Sequence, residues 1–240
     1  TASDFTTAGS ATMSSGTVAS GTWSYTSATL ASGTYEVRAL ATDLAGNSAR
    51  SATSSFTIDV TAPDAPTGIG LTAATDTGAS STDGITSAVV QAITGIAEAY
   101  SSVALFNRYA RAPAASARTA MTGATASVTP ATDGATTGTF TIQTTLATGT
   151  YSITAKATDR AGNVSNASTP VTVIVVDRTA PAAGTFALRV SDDAGASASD
   201  GILNVATPTF IVTGPSDSGY TGAGIASVKV QTSVDNGATW

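Results

Sequence analysis

Apolar and polar residues alternate along much of the chain in short runs. The clearest run, "TYEVRALA", places every second residue on one face of an extended strand, and "TYSITAKA" repeats the arrangement later in the chain. The apolar positions of the two runs are Tyr35, Val37, Ala39 and Ala41, and then Tyr151, Ile153, Ala155 and Ala157. Helical periodicity is not evident, and Gly, Asp and Ser separate the runs, so the pattern predicts an all-β protein.

The most complete set of strands lies between residues 61 and 177. With the letters of an immunoglobulin-like domain, the strands are predicted near Gly68–Ala74 (A), Ala88–Ile96 (B), Ser102–Asn107 (C), Thr139–Thr144 (E), Thr150–Thr158 (F) and Pro170–Val176 (G). The spacing Leu-x-x-Gly-x-Tyr, at Leu30–Tyr35 and Leu146–Tyr151, is typical of the tyrosine corner that opens strand F. The pattern predicts tandem immunoglobulin-like β-sandwich domains, although the Ala-, Thr- and Gly-rich stretch 108–138 does not reveal strand D.

The same motifs recur at a fixed distance, which defines the domain organisation. "ATDLAGN" and "ATDRAGN" place Asp43 and Asp159 116 residues apart, and "DTGASSTDGIT" and "DAGASASDGIL" place Asp76 and Asp193 117 residues apart. A unit of this size fits one sandwich domain in an elongated array. Residues 1–60 are then the C-terminal half of a repeat, 61–177 a complete repeat and 178–240 an N-terminal half, so we expect a segment of a longer chain.

Composition narrows the possible chemistry. The chain has no Cys and no His and a formal net charge of −6. It therefore offers no thiolate, no imidazole base and no typical zinc ligand set, and we expect no enzymatic activity. We expect no nucleic-acid partner, because phosphate binding depends on clustered Lys and Arg residues, of which the chain has few. No stretch of 18 apolar residues is present that predicts a membrane span.

The acidic residues are strongly biased towards Asp. Only Glu36 and Glu98 are Glu among the 16 acidic residues. Asp favours turns and is a hard oxygen ligand, so the bias places negative charge in loops. Nine Asp residues lie in the repeated motifs: Asp43, Asp59, Asp76, Asp83, Asp159, Asp177, Asp192, Asp193 and Asp200.

The motifs "GTYSITAKATDRAGNVS", "VDRTAPAAG" and "DTGASSTDGIT" together resemble the bacterial Ig-like tandem repeats of giant surface adhesins and biofilm-associated proteins, which are type I secreted, RTX-type proteins. The resemblance implies an extracellular location on the bacterial cell surface. It also implies a stalk that extends an adhesive tip, made rigid by calcium bound near the domain junctions. The implied partners are neighbouring repeats of the same chain and, through the tip, a host or abiotic surface.

Strand direction groups the candidate calcium ligands. If strand A starts at the upper end of the sandwich and each strand reverses, the AB loop and the end of strand G lie at the lower end. The BC and FG loops then lie at the upper end. The first junction is thereby predicted to contain Asp59, Glu98, Asp159 and Asn163, and the second Asp76, Asp83, Asp177 and Asp217. Several close carboxylates repel one another unless a cation binds them.

Two alternatives remain open. Each Asp could instead accept hydrogen bonds from its own loop's backbone, which is the commonest role of Asp in turns. The repeats could also form a glycan- or protein-binding module or a self-assembling surface filament or layer. Trp23 and Trp240 could stack on a sugar, although their strand-like surroundings favour a packing role.

Overall fold

The computed structural model describes residues 9, 11–17, 20–109, 119–130, 135–169, 172–193, 195–197, 199–217, 224–235 and 238–239. The regular secondary structure of these residues consists of strands and a single 3-10 turn, in agreement with the all-β prediction. The chain divides into two compact units, which are described separately. One consists of residues 1–62 with the loop 161–163, and the other of residues 63–160 and 164–240.

The first unit contains three antiparallel strand pairs. Its strands are β1 (Thr12–Thr17), β2 (Ser20–Ser24), β3 (Gly33–Val37), β4 (Leu40–Thr42), β5 (Ser48–Arg50) and β6 (Ser54–Ile58). Strand β1 pairs with β2, β3 with β6 and β4 with β5. Tyr35 stacks on Phe56 across the β3–β6 pair, with ring centroids 5.7 Å apart.

The second unit contains the complete repeat. Its strands there are β7 (Thr67–Leu71), β8 (Ile85–Thr86), β9 (Gln91–Glu98), β10 (Ser102–Tyr109), β11 (Thr119–Ser127), β12 (Thr129–Pro130), β13 (Thr137–Thr144), β14 (Gly149–Thr158) and β15 (Thr172–Val176). They form a five-stranded sheet, β11-β10-β14-β15-β8, and a four-stranded sheet, β12-β13-β9-β7. Every pair is antiparallel except β15 with β8. This is the predicted immunoglobulin-like sandwich.

The core of the repeat lies between the two sheets. Strand β14 alternates as its sequence predicts, and Ile153, Ala155 and Ala157 are fully buried. They pack with residues of the opposite sheet, including Ile93, Phe140 and Ile142, in one hydrophobic cluster. Burial of these side chains supplies the main favourable term for folding.

Two strands lie in the stretch where no strand was predicted. Strand β11 pairs with β10 at one edge of the five-stranded sheet, and β12 pairs with β13 in the other sheet. Alanine, threonine and glycine dominate β11 and give only a weak period-2 signal, although Met121 and Ala124 are buried. The pairing partner, rather than local preference, makes this segment a strand.

Residues 178–240 contain a shorter set of elements. These are β16 (Thr185–Leu188), the 3-10 turn Val190–Asp192 and β17 (Phe210–Thr213), and β16 pairs with β17. Phe186 and Phe210 stack across this pair at 5.2 Å. The run "ASVKVQ" (226–231) has β-branched residues at alternate positions, a pattern that predicts a strand, but in the structure it does not form one. The prediction was wrong there because a strand needs a hydrogen-bonded neighbour, and no described strand pairs with this run.

The tyrosine corner is present in both repeats that contain strand F. The hydroxyl of Tyr151 donates to the Ala147 carbonyl at 3.0 Å, and that of Tyr35 donates to the Ala31 carbonyl at the same distance. The motif predicted from Leu-x-x-Gly-x-Tyr is therefore confirmed. It anchors the turn before strand F to the strand itself.

We expect Tyr151→Phe to destabilise the complete repeat by about 1 kcal/mol, because it removes one hydrogen bond from a 7 % exposed side chain. Tyr35→Phe is the matched control and should cost less, since Tyr35 is more exposed and water can replace its bond. Amide hydrogen exchange of β14 and of β3 measures the two effects separately. Equal protection in wild type and Tyr151→Phe would contradict the expectation.

Candidate functional site

The loop "ATDLAGN" is held by its own aspartate. Asp43 Oδ1 accepts the main-chain N–H groups of Ala45 (2.9 Å) and Asn47 (2.8 Å), and Oδ2 accepts the Asn47 side-chain amide at 2.9 Å. These bonds, above all those from Asn47, lower the pKa of Asp43 below its ordinary value. Gly46 has a φ of 89°, which the turn requires. This Asp therefore has the local role considered above as the alternative to metal binding.

The equivalent loop "ATDRAGN" makes a further contact. Gly162 has a φ of 96°, as Gly46 does, and the Asn163 side-chain amide donates to the main-chain carbonyl of Asp59 at 3.1 Å. Two of the four residues predicted for the first junction are thus in contact. The other two, Glu98 and Asp159, are half-buried at the ends of β9 and β14.

The two linker aspartates form the same local turn. Asp59 Oδ1 accepts the N–H of Thr61 at 2.9 Å, and Asp177 Oδ1 accepts the N–H of Thr179 at 2.8 Å. Each bond spans two residues and stiffens the chain immediately before a Pro-containing linker. Each linker carboxylate therefore has a structural role of its own.

The AB loop of the complete repeat contains two aspartates in different environments. Asp83 is exposed, and its Oδ1 accepts the N–H of Ile85 at 3.0 Å. Asp76 is only 5 % exposed, and its Oδ2 accepts the N–H of Gly84 at 3.1 Å. The other oxygen of Asp76, Oδ1, is buried and has no hydrogen-bond partner among the described residues.

The same loop recurs in residues 193–201. Asp193 is 6 % exposed, its Oδ2 accepts the N–H of Gly201 at 3.3 Å, and its Oδ1 is buried without a described partner. Asp200 Oδ1 accepts the N–H of Ile202 at 3.0 Å. Sequence reasoning recognised this repeated motif but did not include Asp193 or Asp200 among the candidate ligands. Adding the repeat length of 117 residues to the positions of Asp76 and Asp83 would have identified them.

The AB loop lies beside the end of the last strand of its repeat, as strand direction predicts. The Gly84 carbonyl accepts the N–H of Val175, and the Thr86 carbonyl accepts the N–H of Asp177, both at 2.9 Å. The predicted ligand Asp217 follows Ser216, whose main chain pairs with that of Ala182. Within the described parts of the chain, no three acidic side chains lie close enough together to hold a metal ion.

Arg178 fastens the end of the repeat to two neighbouring loops. Its guanidinium donates to the carbonyls of Leu146 (3.1 Å), Ala88 (2.6 Å) and Val89 (3.2 Å). Val60 occupies the corresponding place in the "DVTAP" motif and cannot make such bonds. Sequence reasoning missed this residue, because its partners are main-chain carbonyls that carry no sequence signature.

Trp23 lies in β2 and is 56 % exposed, so it does not have the packed position that its pattern favoured. Trp240 lies outside the described residues. None of the described helical residues forms a segment long and apolar enough to cross a membrane.

Asp192, next to the second AB loop, has a strongly shifted titration. Arg189 donates to its Oδ1 at 2.7 and 3.1 Å, and the Thr209 N–H donates to its Oδ2 at 2.6 Å. These bonds, with the Arg189 contact first, lower the pKa of Asp192 from 3.8 to about 2. Because the folded-state pKa is the lower one, the associated stabilisation is present above pH 3.8 and is lost as the pH falls towards 2.

We expect Arg189→Gln to move the titration midpoint of Asp192 upwards, towards 3.8. Carboxyl chemical shifts followed by NMR through an acid titration measure this midpoint. Arg178→Gln is the control and should leave it unchanged, because Arg178 binds carbonyls rather than this carboxylate. An unchanged midpoint in Arg189→Gln would show that the ion pair is not the cause.

The fold and its repeated loops are those of proteins built from tandem immunoglobulin-like sandwich domains. A sequence profile of the bacterial Ig-like domain family matches residues 3–60 and 62–178, and the chain belongs to this family. The family consists of non-catalytic structural domains that often occur in extracellular surface proteins. No curated protein matches the chain.

Proposed function

We propose that this chain is a spacer in the stalk of a large bacterial surface adhesin, at the cell surface, where it holds an adhesive tip away from the cell. The observation that supports this best is the recurrence of the same loops and tyrosine corner in successive repeats. A spacer needs regular, short-linked domains rather than one distinctive site. Membership of a family of non-catalytic structural domains supports a mechanical role.

We further propose that calcium stiffens the junctions. The candidate ligands are Asp59, Glu98, Asp159 and Asn163 at the first junction and Asp76, Asp83, Asp177 and Asp217 at the second. The buried, unpartnered Oδ1 of Asp76 fits such a role, because a carboxylate oxygen removed from water needs a donor or a cation. Calcium would supply positive charge to loops rich in oxygen donors, while Arg178 and the linker turns fix the chain direction.

The experiment is small-angle scattering of the chain with calcium and then with a chelator. With dissociation constants of about 0.1–1 mM, millimolar calcium would stabilise each site by roughly 0.4–1.4 kcal/mol. We therefore expect a small change in melting temperature but a clear decrease in maximum dimension and an increase in flexibility on chelation. Scattering curves that superimpose would remove calcium from the mechanism while leaving the spacer role untouched.

A second candidate function is recognition of a glycan or protein by the first repeat. Trp23 and Tyr25 are 56 % and 44 % exposed at the end of β2, and exposed aromatic rings can stack on sugars. Glycan-array binding that disappears in Trp23→Ala but persists in Phe186→Ala would favour this function. If the chain instead forms concentration-dependent polymers in sedimentation experiments, a self-assembling filament or layer would be favoured.

A further inference from the structure

The two AB loops share an unusual feature that their sequences alone do not show. Each has one aspartate that is more than nine-tenths buried, with one oxygen bound by a loop amide and the other oxygen buried without a described partner. Only one other described side-chain atom, the hydroxyl of Thr154, is buried and unpartnered. Two of the three such atoms therefore occupy the same position in successive repeats.

The surrounding hydrogen bonds repeat as well. Ser80 contacts Thr82 through their hydroxyls in the first loop, and Ser197 contacts Ser199 in the second. In both loops the second aspartate binds the amide two residues later. Both loops therefore have the same hydrogen-bonded structure, and the oxygen without a described partner is a recurring feature of that structure.

Neither AB loop has a cation of its own that could compensate for its buried carboxylate. Neither segment, 76–84 or 193–201, contains Lys or Arg. Two described arginines have other partners: Arg178, which follows the last strand of the complete repeat, binds three carbonyls, and Arg189, four residues before Asp193, binds Asp192. In each loop, one oxygen of the buried carboxyl group accepts an amide hydrogen bond and the other has no described partner. A polar atom removed from water in this way needs a hydrogen-bond donor or a cation.

We propose that each AB loop is a self-contained site for a hard divalent cation, with Asp76 Oδ1 and Asp193 Oδ1 as the anionic ligands. The remaining ligands are neutral oxygens of the same loop, in keeping with the oxygen preference of calcium and with the lack of any three-carboxylate cluster in the described residues. The site acts within a repeat: it closes the loop whose Gly84 carbonyl and Thr86 carbonyl hold the end of β15 and the linker residue Asp177.

This inference rests on the proposed calcium dependence, but it places the calcium ion in the AB loop rather than between the linker aspartates. The linker aspartates Asp59 and Asp177 already accept turn hydrogen bonds and are structural in this scheme. Calcium then affects the junction indirectly: it orders the AB loop, and the AB loop holds the end of the last strand. The junction becomes stiffer because the AB loop and the strand end before the linker are ordered. No ion shared between repeats is needed.

The test uses the full chain and calcium alone as the probe. Calorimetric titration of the wild type, Asp76→Asn, Asp193→Asn and the double variant measures the bound equivalents. Each single variant should lose one equivalent and the double variant two. Asp177→Asn and Asp43→Asn are matched controls and should lose none. The amide resonances of Gly84 and Gly201 in the wild type should shift as calcium is added, whereas that of Gly46 should not.

The possible results separate this inference from the proposed function. Loss of an equivalent in Asp177→Asn but not in Asp76→Asn would overturn the AB-loop site and leave a shared junction site standing. If calcium binds to the AB loops but the scattering curves do not change with calcium, the AB-loop site would be supported and junction stiffening would be overturned. If the wild type binds no calcium, a proton or a buried water satisfies the two aspartates, and both proposals of a metal fail. The glycine resonances give this answer even if a variant does not fold.

Discussion

Leu105→Ala is expected to destabilise the complete repeat by about 2–5 kcal/mol, the range for truncating a fully buried leucine. Leu105 is 0 % exposed, lies in the middle of β10 and belongs to the core cluster between the two sheets. The loss combines the transfer free energy of the deleted methyl groups with the cavity that they leave. Such a loss is a large fraction of the total stability of a domain of this size.

Ile96→Ala is the control for Leu105→Ala, because Ile96 lies in the neighbouring sheet but is 45 % exposed. It should cost less than about 1 kcal/mol, since much of its side chain already contacts water. Native-state amide exchange of β10 and β14 assigns the effect to the complete repeat. Similar losses for both variants would mean that the core lies elsewhere than between these sheets.

Gln91→Leu is expected to destabilise the repeat by about 1–3 kcal/mol, although it replaces a polar side chain by an apolar one of similar size. Gln91 is fully buried; its Oε1 accepts the N–H of Leu146 at 2.8 Å, and its Nε2 donates to the Ala88 carbonyl at 2.6 Å. Leucine would leave the buried Leu146 N–H without its acceptor. The Ala88 carbonyl would keep its bond from Arg178.

Gln143→Leu provides the matched comparison, because Gln143 lies on the exposed face of β13, one register position from Gln91. We expect a change within about 0.5 kcal/mol for this surface substitution. Denaturant unfolding followed by circular dichroism compares the two variants, and exchange of the Leu146 amide reports the broken bond directly. A Gln91→Leu protein as stable as the wild type would show that the Leu146 amide finds another acceptor.

Much of the fold could be predicted because its signals are local. The period-2 pattern around Tyr151 predicted the buried face of β14, and Leu-x-x-Gly-x-Tyr predicted both tyrosine corners. Strand β11 was missed because its small residues give little alternation and its pairing with β10 decides its conformation. The run "ASVKVQ" was the opposite case, since it has the pattern of a strand but no described strand pairs with it.

For the candidate site, too, local sequence features could be predicted, whereas features that depend on contacts between distant residues could not. The sequence by itself determined that aspartates recur in loops at a fixed offset, and strand direction determined that the AB loop meets the end of the last strand. It could not distinguish Asp76 from Asp83, seven positions apart in one loop. Only the tertiary structure buries the first and leaves the second in water, because burial depends on how the closed loop packs against strands distant in sequence. For the same physical reason, the main-chain carbonyls that bind Arg178 appear only after the loops have come together.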